Sequence, residues 1–245
     1  MKKRKKKLDI IYEDKEILVV NKPSGMLTVS TPKEKEKTLF HEVSSYVKKS
    51  NPKAKVFIIH RLDKDTSGIV MFAKNQSVKY NYQNAWDKLC IKRGYIAVVE
   101  GILKEKSGTI KSYLRETKTL LVYSCNDSKN GKLAITKYKV LKESKKYSML
   151  DIEIKTGRKN QIRVHMSDID TPIVGDKKYG NKKSHFKRLM LHAYNLEIIN
   201  PKTKRKMNFL CDVPKTFNDL FKEDWLWILL YVILNVLLVK RQKNI

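Results

Sequence analysis

Short apolar runs bounded by polar turns recur along the chain and predict more strands than helices. Ile10 to Tyr12 and Ile17 to Asn21 are β-like runs joined by Glu13-Asp14-Lys15-Glu16, the pattern of a hairpin. Lys22-Pro23-Ser24-Gly25 breaks the second run, and the charged stretch 31–38 reads as a surface loop. Leu39, Val43, Tyr46 and Val47 fall at helical spacing. Val56 to Ile59 and Ile69 to Ala73 read as buried strands on either side of a polar turn, 60–68. Residues 77–90 suggest one helix and 95–100 a strand.

From 108 to 155 the pattern is all strand: 109–114, 119–124, 134–141 and 147–154, separated by turn signals such as Asn130-Gly131 that imply antiparallel pairing. Ile162, His165, Met166 and Ile169 then form the stripe of an amphipathic helix over 158–169. Strands at 190–198 and 206–211 follow. The sum predicts an α+β class with a large mixed, mostly antiparallel sheet flanked by helices and loops. One domain, 9–223, accounts for it, preceded by a disordered basic arm (1–8) and followed by an apolar tail (224–245). Within that tail, Trp225 to Val239 would make a helix of about 22 Å, short of a bilayer's roughly 30 Å core. Its aromatic start and basic end still resemble interfacial anchors. Three readings stay open: membrane contact through 225–239, a helix covering an apolar patch or partner subunit, or an altered C-terminus.

Charge narrows the partners. Lys and Arg number 53 against 25 Asp and Glu, a net of +28. Such a chain calls for a polyanion, RNA, DNA or an anionic surface, although a general Lys bias explains part of the excess. Cys90, Cys125 and Cys211 are too dispersed for a zinc site or a disulfide framework, which fits reduced thiols in a cytoplasmic protein. Neither GxGxxG nor a Walker-type loop is present.

The chemistry concentrates in His60-Arg61-Leu62-Asp63-Lys64-Asp65-Thr66-Ser67-Gly68. On spacing alone this is an ordinary strand-to-strand turn. An Asp beside Arg61 and Lys64 is expected to stay ionised, which suits a nucleophile better than an acid. The string HRLDKDTSG also resembles the catalytic motif of the RluA family of RNA pseudouridine synthases. NKPSG (21–25), KRGYIAVVEG (92–101), TGRKNQIRVHM continuing to PIVGDKKYG (156–180), and RLMLHA (188–193) resemble that family's other motifs in order. The resemblance spans roughly residues 10–215.

It implies an isomerase that needs no cofactor and no metal. Asp63 would be the nucleophile, acting on the ribose, with attack on the base left open. Arg163 would pair with Asp63 and hold it ionised, and Tyr95 would stack on the target base. Arg61 would fill the gap left by the flipped nucleotide. Lys22 would touch phosphate or shape its motif, and Arg158 and Lys64 complete the expected RNA contacts. His60, His165 and His192 read as structural. Asn160 stands where the family usually has His, for which a local change is expected. The catalytic pattern begins almost at once, so no N-terminal S4 RNA-binding domain is expected. Ribosomal RNA, the large subunit first, is the implied substrate, with transfer RNA the alternative and a monomer the implied state. Two rivals remain: a non-catalytic RNA-binding factor on the same fold, and a metal-dependent nuclease using Asp63, Asp65, Asp176 and a His.

Overall fold

In the computed structural model, which describes residues 8–32 and 34–222, the first two runs form the expected hairpin of β1 (Ile10–Glu13) and β2 (Ile17–Lys22). Asp14 closes it by accepting from the amides of Glu16 and Ile17, each at 2.7 Å. β2 lies antiparallel to β4 (Ser67–Ala73), which is buried along its whole length. Both strands read as unbroken apolar runs because both faces are covered. Ile17, Val19, Ile69 and Met71 face one core and Leu18, Val20, Val70 and Phe72 another. α1 (Leu39–Ser50) seals the second core with Leu39, Val43 and Val47, and the Thr38 side chain caps it by accepting from the His41 amide.

β3 (Phe57–Ile58) pairs with β4, leaving the loop that carries Asp63 between them. The single helix expected over 77–90 is instead α2 (Gln76–Asn84) and α3 (Trp86–Leu89), parted at Ala85. The break turns the Trp86 ring onto His60, with centroids 5.3 Å apart. β5 then begins at Cys90 and runs to Glu100, longer at its start than its apolar pattern suggested.

The second half of the sheet comprises β6 (Ser107–Glu116), β7 (Val122–Cys125), β8 (Lys132–Glu143) and β9 (Tyr147–Ile154). Every pairing among them is antiparallel, but Asn130-Gly131 does not join partners. β7 and β8 both pair with β6 and lie on opposite sides of it. The turn must cross over β6, where a Cβ on Gly131 would sit 2.6 Å from that of Tyr113. β10 (Leu191–Ile199) and β11 (Lys206–Leu210) complete the sheet, and α4 (Gln161–Asp168) and α5 (Lys215–Asp219) pack beside it. The strand order is β1-β2-β4-β10-β5-β9-β8-β6-β7, with β11 on β10 and β3 on β4. Among the described strands, only β4 and β10 pair in parallel. The architecture is the α+β mixed, mostly antiparallel sheet expected. Met1–Lys7 and the apolar run 225–239 lie outside the described residues, so the readings of the arm and the tail have no structural counterpart.

Candidate active site

One cross-strand row places the chemistry. Gly68 of β4 sits beside Ala193 of β10, Ala193 is opposite Tyr95 of β5, and Tyr95 is opposite Ile152 of β9. The approach at the first step admits only glycine. Gly68 has φ +116° and a Cβ there would lie 2.2 Å from the Ala193 carbonyl oxygen. Thus the end of HRLDKDTSG is pinned to RLMLHA, and Tyr95 is carried to the neighbourhood of Asp63.

The Asp63 loop is held from its other side by NKPSG. Lys22 is fully buried, and its ammonium donates to the carbonyls of Pro23 (3.0 Å), Met26 (2.7 Å) and Lys64 (2.9 Å). The Gly25 amide also donates to the Lys64 carbonyl, Ser24 Oγ donates to that of Asp65, and Thr28 Oγ1 donates to that of Leu62. Of the two readings of Lys22, phosphate contact or shaping of its motif, these bonds favour the second. An ammonium has three protons to donate, and here three carbonyls accept from it. Burial lowers its pKa to about 7, against the upward pull of Asp65 and Asp63.

Asp63 opens into a cavity of about 510 Å³, within the range of small-ligand sites. Tyr95 and Trp86 supply aromatic walls, and Arg61, Arg93, Arg158 and Arg163 supply charge. Arg61 is exposed at this rim, and Arg158 lies there with its Nε donating to the Leu133 carbonyl at 2.9 Å. Lys64 is also exposed but does not line this cavity; only its carbonyl takes part in the loop. His60 accepts from the Met71 amide, and His192 meets Ser67 Oγ at 2.8 Å, so both are tied into the scaffold. Of the residues not singled out in the sequence, Trp86, Arg93 and Lys159 also line the cavity.

Arg163 departs from expectation. Its guanidinium forks onto Asp176, Nε to Oδ2 at 2.7 Å and Nη2 to Oδ1 at 2.8 Å. Nη1 donates to Asn160 Oδ1 at 3.1 Å, and the group lies 5.1 Å from the Tyr179 ring centroid. The ion pair it forms is with Asp176, not Asp63. The reason is local: Asp176 is fully buried and also accepts from the amides of Lys178 and Tyr179, a fixed bidentate receptor that suits an Arg. Arg163 acts on Asp63 only through its charge, the strongest of four cationic influences there. Those influences do not prevail. Burial raises the Asp63 carboxyl above its ordinary value, with Arg163, Arg61, Lys22 and Lys159 pulling the other way. Burial also takes the Tyr95 phenol to about 12, with Asp63 adding to the rise and Arg93 opposing it. At neutral pH this phenol therefore keeps its proton.

Asn160 carries a second adaptation. It has φ +55°, a left-handed conformation that Asn tolerates better than most residues. Its amide donates to Tyr179 Oη at 3.0 Å while its carbonyl receives Arg163. The helix that follows is buried from Gln161 to Met166, not on one stripe alone, because its polar residues are bonded too. Gln161 Nε2 donates to the Ile135 carbonyl, and His165 meets Thr136 and Ser112. The nuclease alternative finds no support in this arrangement: Asp176 is neutralised by Arg163, and among the described residues no His/Cys/Asp/Glu group is gathered for a metal.

A carboxylate in a cationic, aromatic-walled cavity, set on a mixed sheet by five interlocked motifs, suits an enzyme that works on a nucleotide of a polyanion. Residues 16–168 match the family described as RNA pseudouridylate synthase. The ribosomal large subunit pseudouridine synthase D of Borreliella burgdorferi is 37% identical over 227 residues, 88% of this chain and 69% of that protein. The tRNA pseudouridine synthase C of Haemophilus ducreyi is 32% identical over 235 residues, 88% of this chain and 95% of that one. Among solved structures, human RNA pseudouridylate synthase domain containing 4 superposes with a TM-score of 0.72 at 22% identity, over 85% of this chain and 90% of that chain. The chain belongs to the RNA pseudouridylate synthase family, the isomerases that convert uridine within RNA to pseudouridine.

Proposed function

We propose that Asp63 is the nucleophile of this isomerase and that its substrate is ribosomal RNA, the large subunit first. The observation carrying the assignment is Asp63 itself, a carboxylate facing the cavity with no ion-pair partner among the described residues, while the rest of its loop is bonded down. In the reaction the carboxylate acts on the ribose, the N1–C1′ bond breaks, and the uracil turns. A C5–C1′ bond then forms, C5 loses its proton, and N1 gains one, so no electrons are exchanged with another reagent. Tyr95 provides the surface on which the base turns. Arg61, at the rim, occupies the place the extruded nucleotide leaves in its helix. The choice of ribosomal RNA rests on the Borreliella relative's name, and the Haemophilus relative's name makes transfer RNA the second reading. A monomer working in the cytoplasm accords with the resemblance; no described helix is long and apolar enough to cross a membrane.

The test is release of tritium from RNA labelled at uracil C5, followed by carbodiimide mapping of the modified position. Release by the wild type and none by Asp63→Ala, with RNA affinity within a few-fold, is the expected result. Equal silence from both proteins despite tight RNA binding would leave a non-catalytic binding factor as the better reading.

A further inference from the structure

The wall formed by Arg163 and Asp176 has a second side. Behind it lies another cavity, of about 630 Å³, bordered by Ser24, Gly25 and Asp65 and by the segment from Gly175 to Leu189. Arg163 lines both cavities, so the two are neighbours across one side chain. Cations dominate the second: Lys177, Lys178, Lys182, Lys187 and Arg188. Its acids are two. Asp176 is neutralised by Arg163, and Asp65 is exposed at the border, where its charge bears on Lys22 and Arg163.

Arg188 distinguishes this cavity from a scatter of surface lysines. Its guanidinium is half-buried, with Nη2 donating to Ser67 Oγ at 2.6 Å and Nε to the Leu189 carbonyl at 3.1 Å. The Phe217 ring lies 5.0 Å beneath it. Among the described residues it has no carboxylate partner. A partly desolvated arginine without an anion carries an unreturned desolvation cost, which a ligand phosphate would offset. Its backbone is fixed as well. Gly175, at φ +77°, lies so close to the Arg188 carbonyl oxygen that a Cβ would come within 2.0 Å. Lys177, Lys178, Lys182 and Lys187 are all exposed, and Lys178 donates to the Leu120 carbonyl at 2.8 Å.

We propose that this second cavity is a phosphate subsite that grips the RNA backbone next to the target nucleotide, with Arg188 as its anchor and Lys182 and Lys187 at its rim. The proposal rests on the functional reading above. It adds that the strand continues from the Asp63 cavity past Arg163, so that binding at the second site sets which nucleotide reaches the first.

Binding of a fluorescein-labelled oligouridylate, followed by anisotropy over a series of salt concentrations, tests it. Arg188→Gln and the double variant Lys182→Gln/Lys187→Gln are compared with Lys48→Gln, an exposed change on α1 far along the chain. We expect Kd to rise about tenfold in the first two, with the salt slope shallower by roughly 0.7 for each phosphate no longer held. Lys48→Gln should match the wild type. An equal loss in Lys48→Gln would show general charge attraction and overturn the subsite, as would an unaltered Kd in the folded double variant. Should Arg188→Gln fail to fold, the surface double variant decides alone. Wild-type protein that neither binds RNA nor releases tritium would instead sink the functional reading, a separate outcome.

Discussion

Three ionisable residues at the cavity and behind its walls meet three different fates, and each makes its own prediction. Asp63 has no ion-pair partner among the described residues, and its carboxyl is raised by burial. The folded state therefore holds the proton more tightly than the unfolded chain. The resulting penalty is absent below the unfolded value of about 3.9 and grows as pH rises through the folded value. Asp63→Asn should accordingly melt at a higher temperature than wild type at pH 7.5, with the gap closing as the pH is lowered towards 4. Activity of the wild type should fall on the acid side with a midpoint above an ordinary aspartate, read from kcat/KM against pH. Asp176 is the converse case: its carboxylate is satisfied by four donors, two of them from Arg163. Asp176→Asn leaves a buried guanidinium half-paired, which should cost about 3–5 kcal/mol in a denaturant titration. It should also lower kcat more than it raises KM, because Arg163 would lose the geometry from which its charge reaches Asp63. Lys22→Gln should destabilise by roughly 1–3 kcal/mol yet leave the salt slope of RNA binding unchanged. A shallower slope in that variant would return Lys22 to the phosphate-binding set.

At the level of elements, the site depends on where strands begin rather than on how they run. β4 and β10 share only Ser67/His192 and Gly68/Ala193 as paired positions, and that short parallel pairing joins the Asp63 loop to the strand opposite Tyr95. Gly68→Ala forces a Cβ into the Ala193 backbone at a positive φ. It should lose more than about 4 kcal/mol, or fail to accumulate as folded protein, as a melting curve would show. Unbroken apolar runs made β2 and β4 legible in the sequence, and an apolar-rich, partly alternating run made β9 so, since burial on both faces or one writes itself into the residue pattern. The crossing of β6 between β7 and β8 was not legible. Asn130-Gly131 reports that the chain turns, and nothing local reports which strand it turns towards. The split of 77–90 at Ala85 was hidden likewise, because its cause is a tertiary contact of Trp86 with His60. The motifs located Asp63, Tyr95 and Arg163 in one cavity, but chain order could not say that Arg163 would choose Asp176 over Asp63. The signal available was Asp176 standing within a segment already matched, Pro172 to Gly180, yet given a role only in the nuclease alternative.

The sheet as a whole divides at β10, which serves β4 along its first residues, β11 along its last, and β5 throughout. One large core lies around β5, β9 and α4, two smaller ones enclose β2 and β4, and a cluster of four residues lies between α4 and β6–β8; the cavity is lined by residues of the first three. The periphery is different. β6 alternates between exposed and half-buried residues with Leu114 alone fully buried, and beyond it only β7, four residues long, closes the sheet. Amides with few buried contacts open at lower free energy than those in core strands. Hydrogen exchange should therefore be slowest in β4, in β5 from Ile96 to Val99, and in the first half of β10. It should be fastest in β7 and the segment 117–121, with β6 intermediate. Such a gradient would let the β6–β7 side yield while the Asp63 loop stays fixed, a useful property in an enzyme that must admit a folded RNA to a rigid carboxylate. Uniform protection across all strands would mean that the sheet opens only as one unit, and that RNA meets a site already formed on every side. Adding RNA discriminates further: protection should then rise along Gly175 to Leu189, where the cations of the second cavity lie, whereas β4 should gain only the global stabilisation that binding confers on the folded state.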